Sequence, residues 1–236
     1  MSHPEHLAHL AKGVNHWNQW RQSEPTVYPD LTGIDLKQQN LNRIDFSQVN
    51  LTHANLAGCQ IRQSLFRGAI LVQANLMNCN LIGANFYGAD LTAIKLIRAN
   101  LFGADLRYTL LQKSHLEEVT LFGSFLTGAD LRHSHLQKAD LALTDCRKTQ
   151  FQDANLVAVD FSGADLTEAN LSQANLSKAI VLGTCLRGAK LHGTRLAYVE
   201  IRPSLLEHTD FSKANLENMV PIRLSPLQPL STRNAS

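Results

Sequence analysis

The chain contains few of the residues that mark several common protein classes. Of its 236 residues only four are cysteine, 6% are aromatic, and the formal net charge is +2. Four cysteines without a CxxC pair fit neither a disulfide framework nor a zinc ribbon. The near balance of 22 cationic and 20 anionic residues lacks the excess of basic residues that marks nucleic-acid binding.

Long apolar stretches are also missing. No part of the sequence approaches the roughly 18 consecutive apolar residues that a membrane helix needs, and residues 1–11 lack the apolar core of a signal peptide. The length suits one or two domains with a sizeable core. We therefore expect a cytoplasmic protein that makes no contact with a membrane.

Leucine, in contrast, is abundant and periodic. The chain has 38 leucines, and from Leu31 to Leu216 every fifth residue is apolar without an insertion or deletion. Of these 38 central positions, 28 are leucine and six are phenylalanine. Neither the helical period of 3.6 nor the strand period of 2 matches this spacing, so the pattern excludes a helix bundle and an ordinary sheet.

The positions around each central residue follow rules of their own. Two residues before the centre, 33 of 37 positions are Ala, Ser, Thr, Cys or Val, and one residue before it, 21 of 37 are Asp or Asn. All twelve glycines of the array come two residues after a centre. Glycine beside Asp or Asn is typical of turns with positive φ, so we expect a turn in every five-residue step.

These units resemble the pentapeptide repeat family over residues 31–219. The resemblance is carried by A-N-L and A-D-L triplets such as Ala54-Asn55-Leu56, Ala74-Asn75-Leu76, Ala104-Asp105-Leu106 and Ala164-Asp165-Leu166. It implies an all-β solenoid, a right-handed quadrilateral β-helix of about nine coils. Four pentapeptides would form each coil, with the central residue and the small residue two before it pointing inward.

The two ends of the array differ from its body. Residues 3–22 have apolar residues at helical spacing, which predicts an N-terminal helical cap over the first coil through Leu7, Leu10, Val14, Trp17 and Trp20. We accordingly divide the chain into a helical cap (1–28), a β-helix (29–219) and a Pro-rich C-terminal segment (220–236). That last segment, with three prolines, is either a second cap or a tail.

Residues 20 apart should stack on one wall of such a coil, which allows the outward residues to be sorted. One wall then carries Ile82, Phe102, Phe122 and Leu182, flanked by glycines. An exposed apolar strip of this kind favours a protein-binding or self-association surface. The alternative is that these side chains lie flat against the coil wall as packing.

The next wall carries an arginine in alternate coils: Arg67, Arg107, Arg147 and Arg187. This row is a candidate surface for an anionic partner. Asp105, Asp145 and Asp165 precede the same central residues. Local pairing that leaves a nearly neutral wall is therefore the favoured interpretation.

Other reactive residues do not indicate a site. His115 and His135 stack one coil apart, but no third ligand converges on them and Lys95 lies beside them, so we expect no metal. We expect no cofactor either. Cys59 and Cys79 are 20 residues apart and close enough in a stacked coil for a disulfide, yet a reducing compartment favours free thiols.

The function we predict is that of a non-enzymatic protein-binding scaffold or regulator, because flat walls offer no enclosed catalytic site. The expected partner is another protein rather than a nucleic acid, and the chain is expected to be a monomer or weak homodimer. The sequence resembles family members with an uninterrupted array and a helical cap that are common in cyanobacteria. Some of these bind a transcriptional regulator.

The alternative function is that of a DNA-mimicking modulator of DNA gyrase or topoisomerase, of the quinolone-resistance type. Those relatives carry loops that interrupt the array and a strongly negative rod. This array has no insertion, and it contains 18 cationic and 16 anionic residues between positions 31 and 216. We rank DNA mimicry second for this reason.

Overall fold

The chain folds as a right-handed quadrilateral β-helix preceded by two short helices. This computed structural model describes residues 3–199 together with Asp210, Ser212, Lys213, Asn215 and Glu217. The C-terminal segment 220–236 lies outside the described residues. In the described part of the array, each wall contributes one single-residue parallel bridge per coil, beginning with Asp30 and Asn50, and the five-residue period therefore produces the predicted solenoid.

The bridges fix a register of 20 residues. Asp30 pairs with Asn50, Asp35 with Asn55, and the pattern continues along the array. Between coils the central Leu31 N–H donates to Asn50 O at 2.8 Å, while Asn55 N–H donates back to Ile34 O at 2.8 Å. Four pentapeptides thus form one coil, and at about 4.8 Å per coil the array from residue 31 to residue 199 is about 40 Å long.

Turns at the corners have positive φ in a single position of the repeat. The residue two positions after each centre, from Gly33 to Tyr198, has φ between 55° and 71°. Positive φ therefore occurs at the repeat position that holds the glycines, two residues after the centre. The position that holds Asp or Asn, one residue before the centre, does not adopt it in the described residues. The Asp and Asn side chains brace the turn instead, as where Asp30 Oδ1 accepts the Thr32 N–H at 2.9 Å.

The core is one continuous column of inward side chains. Phe46, Phe66 and Phe86 stack on successive coils with ring centroids 5.6 and 4.6 Å apart. Cys59 and Cys79 are free thiols in the cramped inward position. Their S–H groups donate to backbone carbonyls of the preceding coil at 2.9 Å, and burial raises the pKa of Cys79 to about 12, so both act as buried core residues.

Two helices form the cap rather than the single helix predicted over residues 3–22. Helix α1 spans Pro4–Ala11 and helix α2 spans Val14–Ser23. Gly13 lies between them with φ of +92°, and its N–H donates to Leu10 O at 2.9 Å. Because that φ suits glycine and does not continue a helix, the chain turns at this point.

The apolar cap residues lie on the core. Trp17 is fully buried and makes a T-shaped contact with Phe46, with the ring centroids 5.8 Å apart. Leu10 is also buried. The remaining three, Leu7, Val14 and Trp20, are partly buried against the same core.

Cap side chains also satisfy the exposed backbone edge of the first coil on two of its four walls. His6 Nδ1 accepts the Asp30 N–H at 3.0 Å. On the other wall, Asn18 Oδ1 accepts the Asp45 N–H at 2.9 Å, and Trp17 Nε1–H donates to Asp45 O at 2.7 Å. An uncapped edge would leave these groups without partners.

Two phenylalanine substitutions compare the stability contribution of an inward side chain with that of an outward one. Phe66→Ala empties a fully buried position and should lower the free energy of unfolding by about 3–5 kcal/mol. The matched change Phe102→Ala, at a side chain that is 49% exposed, should cost less than about 1 kcal/mol. Urea unfolding followed by circular dichroism measures both values. Equal costs would contradict the inward and outward assignment.

The His6 contact should make the cap sensitive to pH. Desolvation first, and then the neighbouring His3, lower the pKa of His6, and an imidazole that accepts at Nδ1 must be neutral there. Since the unfolded chain takes up the proton first, the cap should lose stability as the pH falls below about 6.5. The only two tryptophans, Trp17 and Trp20, both lie in the cap, so their fluorescence reports its docking.

The matched variant is His6→Asn, whose amide oxygen can replace Nδ1 as acceptor without titrating. It should weaken the pH response of the tryptophan fluorescence. A residual response is expected from His16, whose pKa is also lowered, first by desolvation. A pH response identical to that of the unchanged chain would contradict the role given to His6.

Candidate protein-binding surface

The predicted apolar strip is present on its wall, centred on two stacked phenylalanines. The rings of Phe102 and Phe122 are parallel, with an interplanar angle of 5° and centroids 5.7 Å apart. Phe102 is 49% exposed, while Ile82 and Phe122 are partly buried. These outward rings are therefore available for contact rather than lying fully shielded against the wall.

The strip does not continue to Leu182. Ala142, the next residue along it, is only 8% exposed, and Ser162 follows. Leu182 is separated from Phe122 by these two coils and forms a smaller apolar pair with Ile180, both near 45% exposed. The four residues of the predicted strip thus belong to two separate surfaces.

Two further apolar side chains adjoin the phenylalanines at one corner of the rod. Phe125 follows Phe122 across the turn and is 47% exposed. Leu143 is 59% exposed and comes 20 residues after Gly123, whose N–H donates to Ala142 O at 3.0 Å. We call Phe102, Phe122, Phe125 and Leu143 the corner patch.

Sequence sorting by the first residue after each centre missed Phe125 and Leu143. Phe125 occupies the position of the repeat where Asp or Asn is usual, and Leu143 the position where glycine or a polar residue is usual. An apolar residue at either position was the signal that could have identified them. The turn after Phe122 leads to Phe125, and the 20-residue stacking places Leu143 over Gly123, the residue that follows Phe122.

Glycines shape the surface around the corner patch. A Cβ added at Gly103 or Gly123 would meet no atom within 4 Å, so these positions leave open space beside the rings. At Gly163 a Cβ would lie 2.6 Å from Leu143 Cδ2, and Leu143 therefore leans over that glycine. The corner patch is therefore unobstructed on the side of Gly103 and Gly123.

Ion pairs border the corner patch on the arginine wall. Arg107 donates through Nε and Nη2 to both carboxylate oxygens of Asp105, at 2.8 and 2.7 Å, and Arg147 does the same to Asp145. The hydrogen bonds from each arginine lower the pKa of its aspartate. These pairs are partly solvent-exposed and contribute little to stability, but they neutralise the centre of the wall.

The outer two arginines of the row have different neighbours. Arg67 and Arg107 lie on the Tyr87 ring, with guanidinium carbons 5.8 and 5.6 Å from its centroid. Within the described residues, neither Arg67 nor Arg187 forms a salt bridge. The row is therefore a mixed wall and not a uniform anion-binding surface.

The histidines form pairs rather than a ligand set. The His115 and His135 rings stack at 5.0 Å, and His115 Nδ1 lies 3.2 Å from Glu117 Oε1. His133 is 3.8 Å from Asp153. In the described part of the chain no group of three or more His, Cys, Asp or Glu side chains converges as a metal site would require.

The helices of the described chain are all too short and too polar to cross a membrane.

Comparison with known families identifies the class. The pentapeptide repeats family model matches in eight copies, over residues 30–68, 64–96, 99–137, 126–161 and 154–193. The chain therefore belongs to the pentapeptide repeat family. A comparison with curated protein sequences finds no match.

Among solved structures, the chain is similar to HetL, a pentapeptide repeat protein involved in heterocyst differentiation regulation from the cyanobacterium Nostoc sp. strain PCC 7120. The two are 26% identical over 93% of this chain and 94% of HetL, with a TM-score of 0.46. It is also similar to a trypsin-treated variant of QnrB1, a plasmid-mediated fluoroquinolone resistance protein. There the identity is 17% over 77% of this chain and 89% of that one, with a TM-score of 0.56. The second comparison supports the fold alone.

Proposed function

We propose that this protein is a non-enzymatic scaffold that binds another protein through the corner patch. The observation that carries the proposal is the exposed, parallel Phe102–Phe122 stack. Phe125 and Leu143, both exposed, lie around the same corner of the rod. Clustered apolar side chains exposed to water are unfavourable unless a partner covers them.

The surroundings of the patch suit a protein partner. Arg107 and Arg147 hold their ion pairs beside it, and Tyr108 is 56% exposed on the same wall. An apolar centre with a rim of arginine and tyrosine is the composition of protein interfaces and their energetic hot spots. The rim would exclude water from the centre and orient the partner.

The patch predicts the effect of a double substitution. Phe102→Ser with Phe122→Ser should weaken partner binding by at least about 30-fold, because stacked aromatic residues at an interface centre contribute about 2 kcal/mol or more. Circular dichroism should be unchanged, since both side chains point outward. Affinity capture from the source cell identifies the partner, including whether it is a transcriptional regulator, and titration of that purified partner measures the loss.

The matched control is Tyr198→Ser, at an aromatic residue that is 59% exposed but far from the patch along the array. It should leave binding unchanged. If the double variant retains full affinity, the corner patch is not the binding surface.

Gyrase modulation by DNA mimicry requires a wall of free carboxylates that imitates a phosphate backbone. Here Asp105, Asp130 and Asp145 are each paired with the arginine two residues later, with N–O distances of 2.7 Å. We expect the protein to leave gyrase supercoiling unchanged and to give no protection from a quinolone. A plasmid supercoiling assay measures both effects, and protection in that assay would replace the proposed scaffold function with DNA mimicry.

A further inference from the structure

The N-terminal end of the rod is closed on only half of its circumference. The cap pairs with the walls that begin at Asp30 and Asp45, as described above. The other two walls of the first coil begin at Asp35 and Asn40, and both residues are exposed. Within the described residues, neither the backbone N–H nor the backbone C=O of either residue has a hydrogen-bond partner.

These free groups have a defined geometry. In later coils the equivalent N–H donates to the preceding coil, as Asn55 N–H does to Ile34 O, and the equivalent C=O accepts from it, as Asn50 O does from Leu31 N–H. The carbonyls of Lys37 and Asn42 are likewise without a donor in the described chain. This open edge, residues 35–42, therefore presents the hydrogen-bonding pattern that one more parallel strand would satisfy.

An apolar cleft runs beside the open edge. Its volume is about 410 Å³, and it lies between the junction of the two helices and the first coil. Inward residues elsewhere in the array are buried, but here Ile34 and Leu36 are only partly buried and Gln39 is exposed. The apolar side of the cleft is formed by Leu7, Leu10, Ala11, Val14, Ile34, Leu36 and Leu41.

A separate, cationic recess follows the cleft along the chain. Beyond Leu41 the surface continues into a recess of about 410 Å³ lined by Asn42, Arg43, Arg62 and Gln63. Arg43 Nε donates to the neutral Gln63 amide at 3.2 Å. In the described part of the chain, neither Arg43 nor Arg62 forms a salt bridge, whereas Asp35 on the neighbouring wall is paired with Lys37 at 3.3 Å. A carboxylate would therefore find unpaired positive charge here.

We propose that this end of the rod binds an extended segment of a partner protein by β-strand addition. The segment runs parallel to residues 34–42, with small and apolar side chains facing the cleft and acidic residues following them over Arg43 and Arg62. Its carbonyls accept from the Asp35 and Asn40 N–H groups, and its N–H groups donate to the open carbonyls. Main-chain bonds supply affinity, and the cleft and the arginines supply specificity.

The probe is a ten-residue peptide that copies two pentapeptides of a preceding coil. Its sequence is Ala-Thr-Leu-Ser-Gly-Ala-Thr-Leu-Glu-Glu, acetylated, amidated and carrying a fluorophore. Fluorescence anisotropy with the full chain measures its affinity. N-methylation of the two leucines removes the N–H groups aimed at Asp35 O and Asn40 O, and a second control ends in Lys-Lys. Both control peptides should bind at least about tenfold more weakly.

Variants of the protein test whether the peptide binds at the cleft and the recess. Ala11→Phe fills the cleft at an exposed helix end, and Arg43→Glu with Arg62→Glu reverses the charge of the recess. Each should reduce peptide affinity at least about tenfold, with tryptophan fluorescence confirming a docked cap. The control Arg187→Glu reverses an exposed arginine near the other end of the described array and should leave affinity unchanged.

Four outcomes would overturn the proposal. In the first, the N-methylated and unmodified peptides bind equally. In the second, neither cleft variant changes the affinity. In the third, the chain sediments as a dimer that Ala11→Phe dissociates, which would assign the open edge to a second copy. In the fourth, the Phe102→Ser, Phe122→Ser variant loses peptide binding, which would place the peptide on the corner patch and so separates the two surfaces.

Discussion

The 20-residue register of the coils is the constraint on which the rest of the structure depends. Hydrogen bonds between coils join each residue to one 19 or 21 positions away, as between Leu31 and Asn50 or between Asn55 and Ile34. An inserted residue that did not loop out of the wall would move every inward side chain after it out of the core. The array therefore keeps its five-residue period without a slip, and the narrow interior holds mostly small residues beside the central leucines and phenylalanines, with Ile44 and Ile94 as buried exceptions.

The same register explains why glycine is common at the corners without being obligatory. Asn78, Tyr108 and Leu143 adopt the positive φ that glycines adopt elsewhere. Because stacked coils fix the turn from both sides, the array tolerates a conformation that most residues avoid. At Gly128 and Gly163 glycine has a second reason, since Tyr108 and Leu143 from the preceding coil lie where a Cβ would be. Those glycines allow large side chains to lean along the wall.

Periodicity allowed the body of the fold to be predicted, because a strict repeat gives the same structural answer many times. The inward column, the outward walls and the proximity of Arg107 to Asp105 all follow from position within the repeat. The sequences at the two ends occur only once, so no repeated pattern supports a prediction there. The apolar spacing predicted a single helix that continued through Gly13. Nothing in that spacing indicated that the cap would bond to Asp30 and Asp45 and leave the backbone groups of Asp35 and Asn40 open. Phe125 was missed for a related reason, since its position is usually polar.

Specificity in a rod of repeated walls has to come from the places where the repetition fails. One wall shows two such places along a single row of outward positions: Asn42, Arg62, Ile82, Phe102 and Phe122. That row changes from cationic at the open end to apolar at the corner patch, and Asn42 and Phe102 are three coils, or about 14 Å, apart. A partner that adds a strand at the end and extends down this wall would engage both surfaces at once. Since linked contacts raise the effective concentration of the second, two individually modest surfaces would together provide a selective interaction.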